Sequence, residues 1–192
     1  MPVKLEPLMY AELQVTTNFS FLKGASHPEE LVKTARELGH AAIGISDHNT
    51  LAGVVRAHMA AKEHGIPLLV GCLLDFADQT PSLLCYPADR AAYGRLTRLL
   101  TRGKRRAPKG ECFLYQDDLI EFCEGQTLIV IPPPQISPDF ETSLITLCHP
   151  GMTLYLAISF AFDARGAKRL NWISELSRKH RLPMVVTNDV HA

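Results

Sequence analysis

The sequence predicts an α/β fold in which strands and helices alternate around a parallel sheet. Six short apolar runs, rich in Val, Ile and Leu, have the length and composition of strands that are buried on both faces. Segments with the period of amphipathic helices separate most of these runs. Such alternation implies right-handed crossovers, and the resulting sheet closes either as a barrel or as a doubly wound layer. The residue pattern leaves both architectures open.

The predicted elements follow one another without a long linker, an internal repeat or a low-complexity tract. Strands are predicted at 11–16, 41–46, 67–76, 127–131, 153–160 and 183–190. Helices are predicted at 29–40, 50–64, 89–102 and 167–180, with an additional strand at 82–86 and a basic loop at 103–110. Ser26 and Glu29 have the spacing of a capping box for the first helix, and Gly39 lies near its end.

The length of the chain favours one domain. A chain of 192 residues is a little longer than a typical domain, so we predict a single domain over 1–192. The last predicted strand ends two residues before the end of the chain, without the helix that should cover it. We therefore expect the chain to be a fragment of a longer protein.

Composition and charge exclude several classes of protein. Hydrophobic residues make up 46% and charged residues 21%, which is typical of a globular chain. Twenty Lys and Arg balance twenty Asp and Glu, so any contact with nucleic acid would be local. No apolar run approaches the roughly 18 to 20 residues that cross a bilayer, so no membrane contact is expected. Since there is no secretion signal and no CxxC pair among five cysteines, we expect a cytoplasmic protein with reduced thiols.

Polar side chains lie where the predicted strands end, which is where parallel α/β folds place their functional groups. The candidates are Gln14 and Thr16 on the first strand, Asp47 and His48 after the second, and Asp189 and His191 at the end of the last. Carboxylate and imidazole groups are ligands that Zn, Mn and Fe accept. In the alternative interpretation, the aspartates cap turns and the histidines are hydrogen-bonded loop residues. The residue pattern favours neither interpretation over the other.

Three segments, 10–31, 45–58 and 186–191, resemble one known family. They contain Phe-Ser-Phe-Leu-Lys-Gly-Ala-Ser-His-Pro-Glu-Glu-Leu, Ile-Ser-Asp-His-Asn and Thr-Asn-Asp-Val-His. These segments resemble the N-terminal PHP domain of C-family bacterial DNA polymerases, and most of all the error-prone branch, which is similar to the polymerase III alpha subunit. The resemblance implies a distorted (β/α)7 PHP barrel of parallel strands with covering helices, whose last helix is missing from this chain. It also implies that the parent protein copies damaged DNA.

The resemblance further implies where a metal site would lie, and which of its ligands are changed. Members that bind metal carry His-x-His on the first strand, where this chain has Gln14 and Thr16. The next expected ligand is replaced by Asn18, and the glutamate expected after Gly-Cys on the third strand is replaced by Leu73. Asp47 is retained, and the remaining retained positions are His48, Asp189 and His191.

These changes lead us to expect a vestigial site. A single catalytic zinc needs about three protein ligands, and amide, hydroxyl and isobutyl groups are poor substitutes for imidazole and carboxylate. We expect no tightly bound cofactor, or at most one weakly held Zn or Mn on His48, Asp189 and His191. The domain should then have no catalytic residues of its own and should serve as a structural platform for the remaining domains of the polymerase. The Mg of the polymerase core, a DNA-directed nucleotidyltransferase, would lie outside this chain.

A basic segment, 95–109, carries seven positive charges and no acid. Within it, Arg102, Lys104, Arg105 and Arg106 are the candidates for contact with DNA phosphates. A solvated helix face and loop is the alternative.

Two other functions remain open. The first is a free-standing PHP metal-dependent phosphoesterase acting on an ester such as histidinol phosphate. The second is a non-enzymatic module that binds another protein of the mutasome.

Overall fold

The computed structural model describes residues 9–135, 137–147, 152–159 and 166–191. Within them, the strands are β1 Ala11–Val15, β2 Ala42–Ile45, β3 Leu68–Val70, β4 Cys72–Leu74, β5 Leu83–Pro87, β6 Gln126–Val130, β7 Thr153–Ile158 and β8 Met184–Val186. The helices are α1 Pro28–Glu37, α2 Val54–His64, α3 Arg90–Arg106, α4 Gln116–Phe122, α5 Pro138–Leu147 and α6 Gly166–His180. The predicted α/β class is confirmed. No helix in these ranges is both long and apolar enough to cross a membrane.

The described strands form two sheets, and not one closed parallel barrel. One sheet has the order β1-β2-β3, and all its strands are parallel. The other has the order β4-β5-β6-β7-β8, in which β5 runs antiparallel to both of its neighbours. The expectation of parallel strands is therefore wrong for β5. The physical reason is that the loop 75–82 between β4 and β5 contains no crossover helix, which a parallel connection would need.

Two single bridges join the sheets. Val15 pairs with Val190, so the end of β1 contacts the segment that follows β8. His48 pairs with Leu73, so the segment that follows β2 contacts β4. These bridges bring the ends of four strands to one region, where the predicted polar residues lie.

The predicted strand 67–76 divides at Gly71, where its pairing partner changes from β2 to β5 and where Tyr86 approaches the backbone. A Cβ atom at Gly71 would lie 2.3 Å from Cε1 of the Tyr86 ring, so only glycine leaves room for the ring. Gly44, on β2, makes a similar approach to the same side chain. The Tyr86 hydroxyl donates a hydrogen bond to the Leu13 carbonyl, which links β5 to β1. Tyr86 thus fills the space between the two sheets.

Each sheet has its own apolar core. The five-stranded sheet packs on α3, α4, α5 and α6, in a cluster that includes Leu96, Leu119, Leu144 and Ile173. The three-stranded sheet packs on α1 and α2, in a smaller cluster that includes Val32, Ile45 and Ala57. A third cluster, of Leu73, Leu84, Ile129 and Ala157, lies between the sheets with Tyr86 against it.

Three local predictions need correction. Helix α3 continues through the predicted basic loop to Arg106, because Gly103 lets the helix pack closely on Leu114 and Cys112. The capping interaction of α1 is shifted by one residue, since the Glu30 carboxylate accepts the His27 backbone N–H. The sequence did not predict α4 and α5, which lie in segments with no clear helical period.

Cys72, Cys85, Cys112 and Cys123 are free thiols, as expected, while Cys148 lies outside the described residues.

Candidate functional site at the strand ends

Asp47 is the most buried of the predicted site carboxylates, and protein donors surround it. Its Oδ1 accepts hydrogen bonds from the Thr17 backbone N–H at 2.8 Å and from the Ser20 hydroxyl at 2.7 Å. Its Oδ2 accepts one from the Thr17 hydroxyl at 2.9 Å. The side chain therefore fixes the loop that follows β1. This geometry supports the interpretation of Asp47 as a structural cap.

Asp189 has a different partner, which the sequence did not reveal. The Gln14 amide Nε2 donates to Asp189 Oδ1 at 2.6 Å, and His191 Nε2 lies 2.9 Å from the same oxygen. An N–H donor thus occupies one of the two oxygens of this carboxylate. Thr16, two residues from Gln14, is buried with its hydroxyl oxygen unpartnered in the described structure. Where the resemblance leads one to expect His-x-His, this chain therefore has an amide that donates, Gln14, and a neutral hydroxyl, Thr16.

His48 pairs with Asp75, a residue that we did not predict. His48 Nδ1 lies 2.6 Å from Asp75 Oδ2, and Lys23 Nζ lies 3.1 Å from the same oxygen. Asp75 Oδ1 accepts a hydrogen bond from the Ser82 hydroxyl at 2.8 Å. Burial alone would raise the pKa of Asp75, but the hydrogen bonds from His48 and Ser82 hold that pKa far below its ordinary value. Its position just after a strand end was the signal that could have identified it.

Two of the substituted positions are directed away from any shared site. Leu73 lies in the apolar cluster between the sheets, where it contacts other hydrocarbon groups. The Asn18 amide lies 2.8 Å from His27 Nδ1, at the start of α1. Neither side chain supplies a ligand next to His48.

The donor set does not fit a metal ion. Among the described residues, no group of three or more His, Cys, Asp and Glu side chains is close enough to hold one. His48 and Asp189 line different cavities, of about 600 Å³ and about 480 Å³ respectively. The three predicted ligands, His48, Asp189 and His191, therefore do not come together as a group that could hold an ion.

Two of the four predicted DNA-binding side chains are paired with acids inside the domain. Arg102 binds the Glu121 carboxylate with both terminal nitrogens, and its Nη2 contact is 2.8 Å. Arg106 binds Asp118 in the same way, at 2.7 Å and 2.9 Å. The guanidinium of Arg102 also lies over the Phe122 ring. These two arginines thus fasten α3 to α4.

The other two basic candidates are free of such pairs. Lys104 and Arg105 are exposed, and neither makes an ion pair with any described residue. Lys104 also lines the same cavity as His48. The structure therefore separates the four candidates into two structural arginines and two free cations.

Acid should destabilise the domain through Asp75 and Asp118. Burial tends to raise the pKa of Asp118, but the hydrogen bonds from Arg106 and the Tyr115 backbone lower it below its ordinary value. A carboxyl group with a lowered folded-state pKa stabilises the fold above its unfolded pKa, about 3.9, and this stabilisation is lost as pH falls toward the folded value. We expect the free energy of unfolding in urea to be constant near neutral pH and to fall steadily below about pH 4.

The variant Asp118→Asn serves as the control for that titration. It should be less stable than the parent at neutral pH and should lose less stability on acidification, because one of the carboxyl groups with a lowered pKa is gone. Parallel pH profiles for the two proteins would contradict the assignment to Asp118.

The chain is similar to known proteins over almost its whole length. Residues 12–143 match the model of the PHP domain. An error-prone DNA polymerase of Caulobacter vibrioides is 53% identical over 188 residues, which are 97% of this chain. One from Brucella abortus is 45% identical over 94% of the chain. In both cases the chain spans 17% of the length of the relative.

Solved structures show the same fold. An amidohydrolase from Chromobacterium violaceum, solved with bound sulfate and no metal, superposes with a TM-score of 0.72 at 15% identity, over 96% of this chain and 88% of that one. A two-domain protein from Bacteroides vulgatus, containing a predicted PHP-like metal-dependent phosphoesterase, superposes with a TM-score of 0.64 at 16% identity, over 95% and 52% of the two chains. The match over residues 12–143 establishes that the chain belongs to the PHP domain family.

Proposed function

We propose that this chain is the PHP domain of an error-prone DNA polymerase and that it acts there as a structural platform without hydrolytic activity. Its identity to such polymerases, and the small share of their length that it spans, support the parentage. The other polymerase domains would be its partners, and DNA would be bound through the whole protein. The setting would be DNA synthesis across damage in the cytoplasm.

The proposed lack of hydrolytic activity rests mainly on the hydrogen bond from Gln14 to Asp189. A metal-dependent phosphoesterase needs its carboxylates free to bind cations that activate water. Here the Gln14 amide donates to one candidate carboxylate, and Thr17 and Ser20 surround the other, Asp47. One oxygen of Asp189 and both oxygens of Asp47 are therefore hydrogen-bonded within the domain.

We also interpret the two sheets as an opened form of the (β/α)7 barrel. The two single bridges, at Val15 and at His48, join neighbouring strand ends in the order that a ring would require. The antiparallel β5 distorts that ring locally.

The hydrolytic role is tested with a chromogenic phosphate ester and added Mn²⁺. We expect no Mn²⁺-dependent turnover above the buffer rate. We also expect the melting temperature to be the same in Mn²⁺ and in EDTA within about 1 °C, because a ligand that does not bind the fold cannot stabilise it. The matched control is Asp189→Ala, which should leave the turnover and the difference between the two melting temperatures unchanged. Saturable turnover that Asp189→Ala abolishes would overturn the platform role and favour the phosphoesterase.

The parentage is tested separately by the coding sequence around this chain. A downstream palm domain with paired aspartates is the expected result. A short open reading frame that encodes only a PHP domain would overturn it.

A further inference from the structure

The cavity beside His48 is lined by different residues from the cavity beside Asp189. It has a volume of about 600 Å³ and lies between the loop 19–23, the segment after β2 and the segment that follows α3. Three lysines line it: Lys23, Lys104 and Lys109. Glu111 is the one carboxylate among the lining residues that the structure describes. The wall therefore carries an excess of positive charge.

Two of these lysines have charges that no acid offsets. Lys104 and Lys109 are exposed and make no ion pair with a described residue. Lys23, by contrast, shares the Asp75 carboxylate with His48. Exposed cations without acidic partners on a concave wall attract phosphate groups. Arg102 and Arg106 of the same segment are paired with acids, whereas Lys104 and Lys109 are unpaired on this wall.

His48 adds a polar atom that has no partner. Its Nδ1 is held by Asp75, whereas Nε2 is buried and makes no hydrogen bond in the described structure. A buried ring nitrogen without a partner is costly, so such atoms call for an explanation. Because that nitrogen has no exposed surface, it belongs to the interior of the cavity wall and is not itself a contact for a ligand.

Phe21 places an aromatic ring on the same wall. Its side chain is 85% exposed, and the next residue, Leu22, is 93% exposed with a φ of 63°. A bulky residue in the left-handed region, beside an exposed aromatic ring, is a strained arrangement of the kind found at binding sites. The ring of Phe19 is already covered by the Arg56 guanidinium, at 5.9 Å from the ring centroid. Phe21 is thus the ring available for stacking.

We propose that this cavity binds a single-stranded segment of nucleic acid, with phosphates on Lys104 and Lys109 and a base stacked on Phe21. Lysines that follow a backbone beside an exposed aromatic ring are the usual components of such sites. The proposal goes beyond the platform role and does not depend on whether the domain hydrolyses esters.

Fluorescence anisotropy with a labelled oligo(dT) of about twelve nucleotides tests the site in the intact chain. The double variant Lys104→Ala/Lys109→Ala should reduce the slope of log affinity against log salt by about 1.4, because each phosphate contact with a single strand contributes about 0.7. That loss corresponds to about 25-fold weaker binding near 0.1 M salt. The matched control, Lys62→Ala/Lys168→Ala, removes two exposed lysines elsewhere and should leave the slope unchanged.

A second variant separates stacking from charge. Phe21→Ala should weaken binding about fivefold or more and leave the salt slope unchanged, because a base–ring contact releases no counterions. Glu111→Gln should strengthen binding by removing the acid on the wall. A blunt duplex of the same length should bind more weakly, because its bases are not free to stack.

Several results would overturn the proposal. They are no saturable binding at low salt, equal losses in the Lys62→Ala/Lys168→Ala control, and duplex binding as tight as that of the single strand. A loss in the Lys104→Ala/Lys109→Ala variant with none in Phe21→Ala, and inorganic phosphate competing as well as dTMP, would show a phosphate-only site and overturn the assignment to a strand. None of these outcomes bears on phosphate-ester hydrolysis, so the two proposals fail independently.

Discussion

Replacing Asp47 by Ala is expected to lower the free energy of unfolding by about 3–5 kcal/mol. The carboxylate is 1% exposed and accepts hydrogen bonds from the Thr17 backbone N–H, the Thr17 hydroxyl and the Ser20 hydroxyl. Its removal would leave these buried donors without an acceptor, and each unsatisfied group costs about 1–3 kcal/mol. Urea unfolding followed by circular dichroism measures the change.

Asp189→Ala is the control that separates a cap from a ligand. Asp189 is about half exposed, at 50% of its side chain, and only one of its partners, the Gln14 amide, is buried. We expect a loss of about 1–2 kcal/mol, because one buried donor loses its acceptor. If Asp47→Ala proved as mild as Asp189→Ala, Asp47 would not be the structural cap that its contacts indicate.

The second large effect is expected at Tyr86, whose ring fills the space between the two sheets. Tyr86→Ala should lower the free energy of unfolding by about 2–4 kcal/mol, because it removes a partly buried aromatic ring that packs between the sheets and leaves a cavity. Gly44 and Gly71 approach the ring so closely that their backbones cannot collapse onto the site without moving two strands. The measurement is again the unfolding midpoint in urea at constant m-value.

Tyr86→Phe divides this effect into its parts. The variant keeps the ring and removes only the hydroxyl that donates to the Leu13 carbonyl, so we expect a loss of about 1–2 kcal/mol. Losses of equal size in Tyr86→Phe and Tyr86→Ala would mean that the hydrogen bond, and not the packing, holds the sheets together.

Much of the fold could be predicted because its strands are short apolar runs. The runs at 11–16, 41–46 and 127–131 each contain an observed strand to within a residue. Burial on both faces makes such runs continuous in sequence, so they are easy to recognise. The direction of β5 and the length of α3 were not predictable in this way. They depend on the short loop after β4 and on the packing of Gly103 against Leu114, which are tertiary effects.

Several members of the candidate site were predicted from residue type, but Asp75 and the contacts between the members were not. Gln14 and Asp189 are 175 residues apart, and no local pattern indicates that an amide would bind that carboxylate. The pairing of Arg106 with Asp118 was not predictable either, because the basic segment itself contains no acid that could serve as a partner. Residue type identified where polar groups lie, whereas the choice of partner depends on distances between elements.

The two single bridges have a consequence for how the domain opens. Each sheet has its own apolar core, and the two are coupled by Tyr86 and the cluster between the sheets, so disturbing that cluster weakens both blocks. The seam between them runs beside Val15, Val190 and Leu73, where the loops bearing the polar groups also begin. A neighbouring domain that contacted both blocks at once would add further contacts across this seam and so stabilise the two sheets against separation.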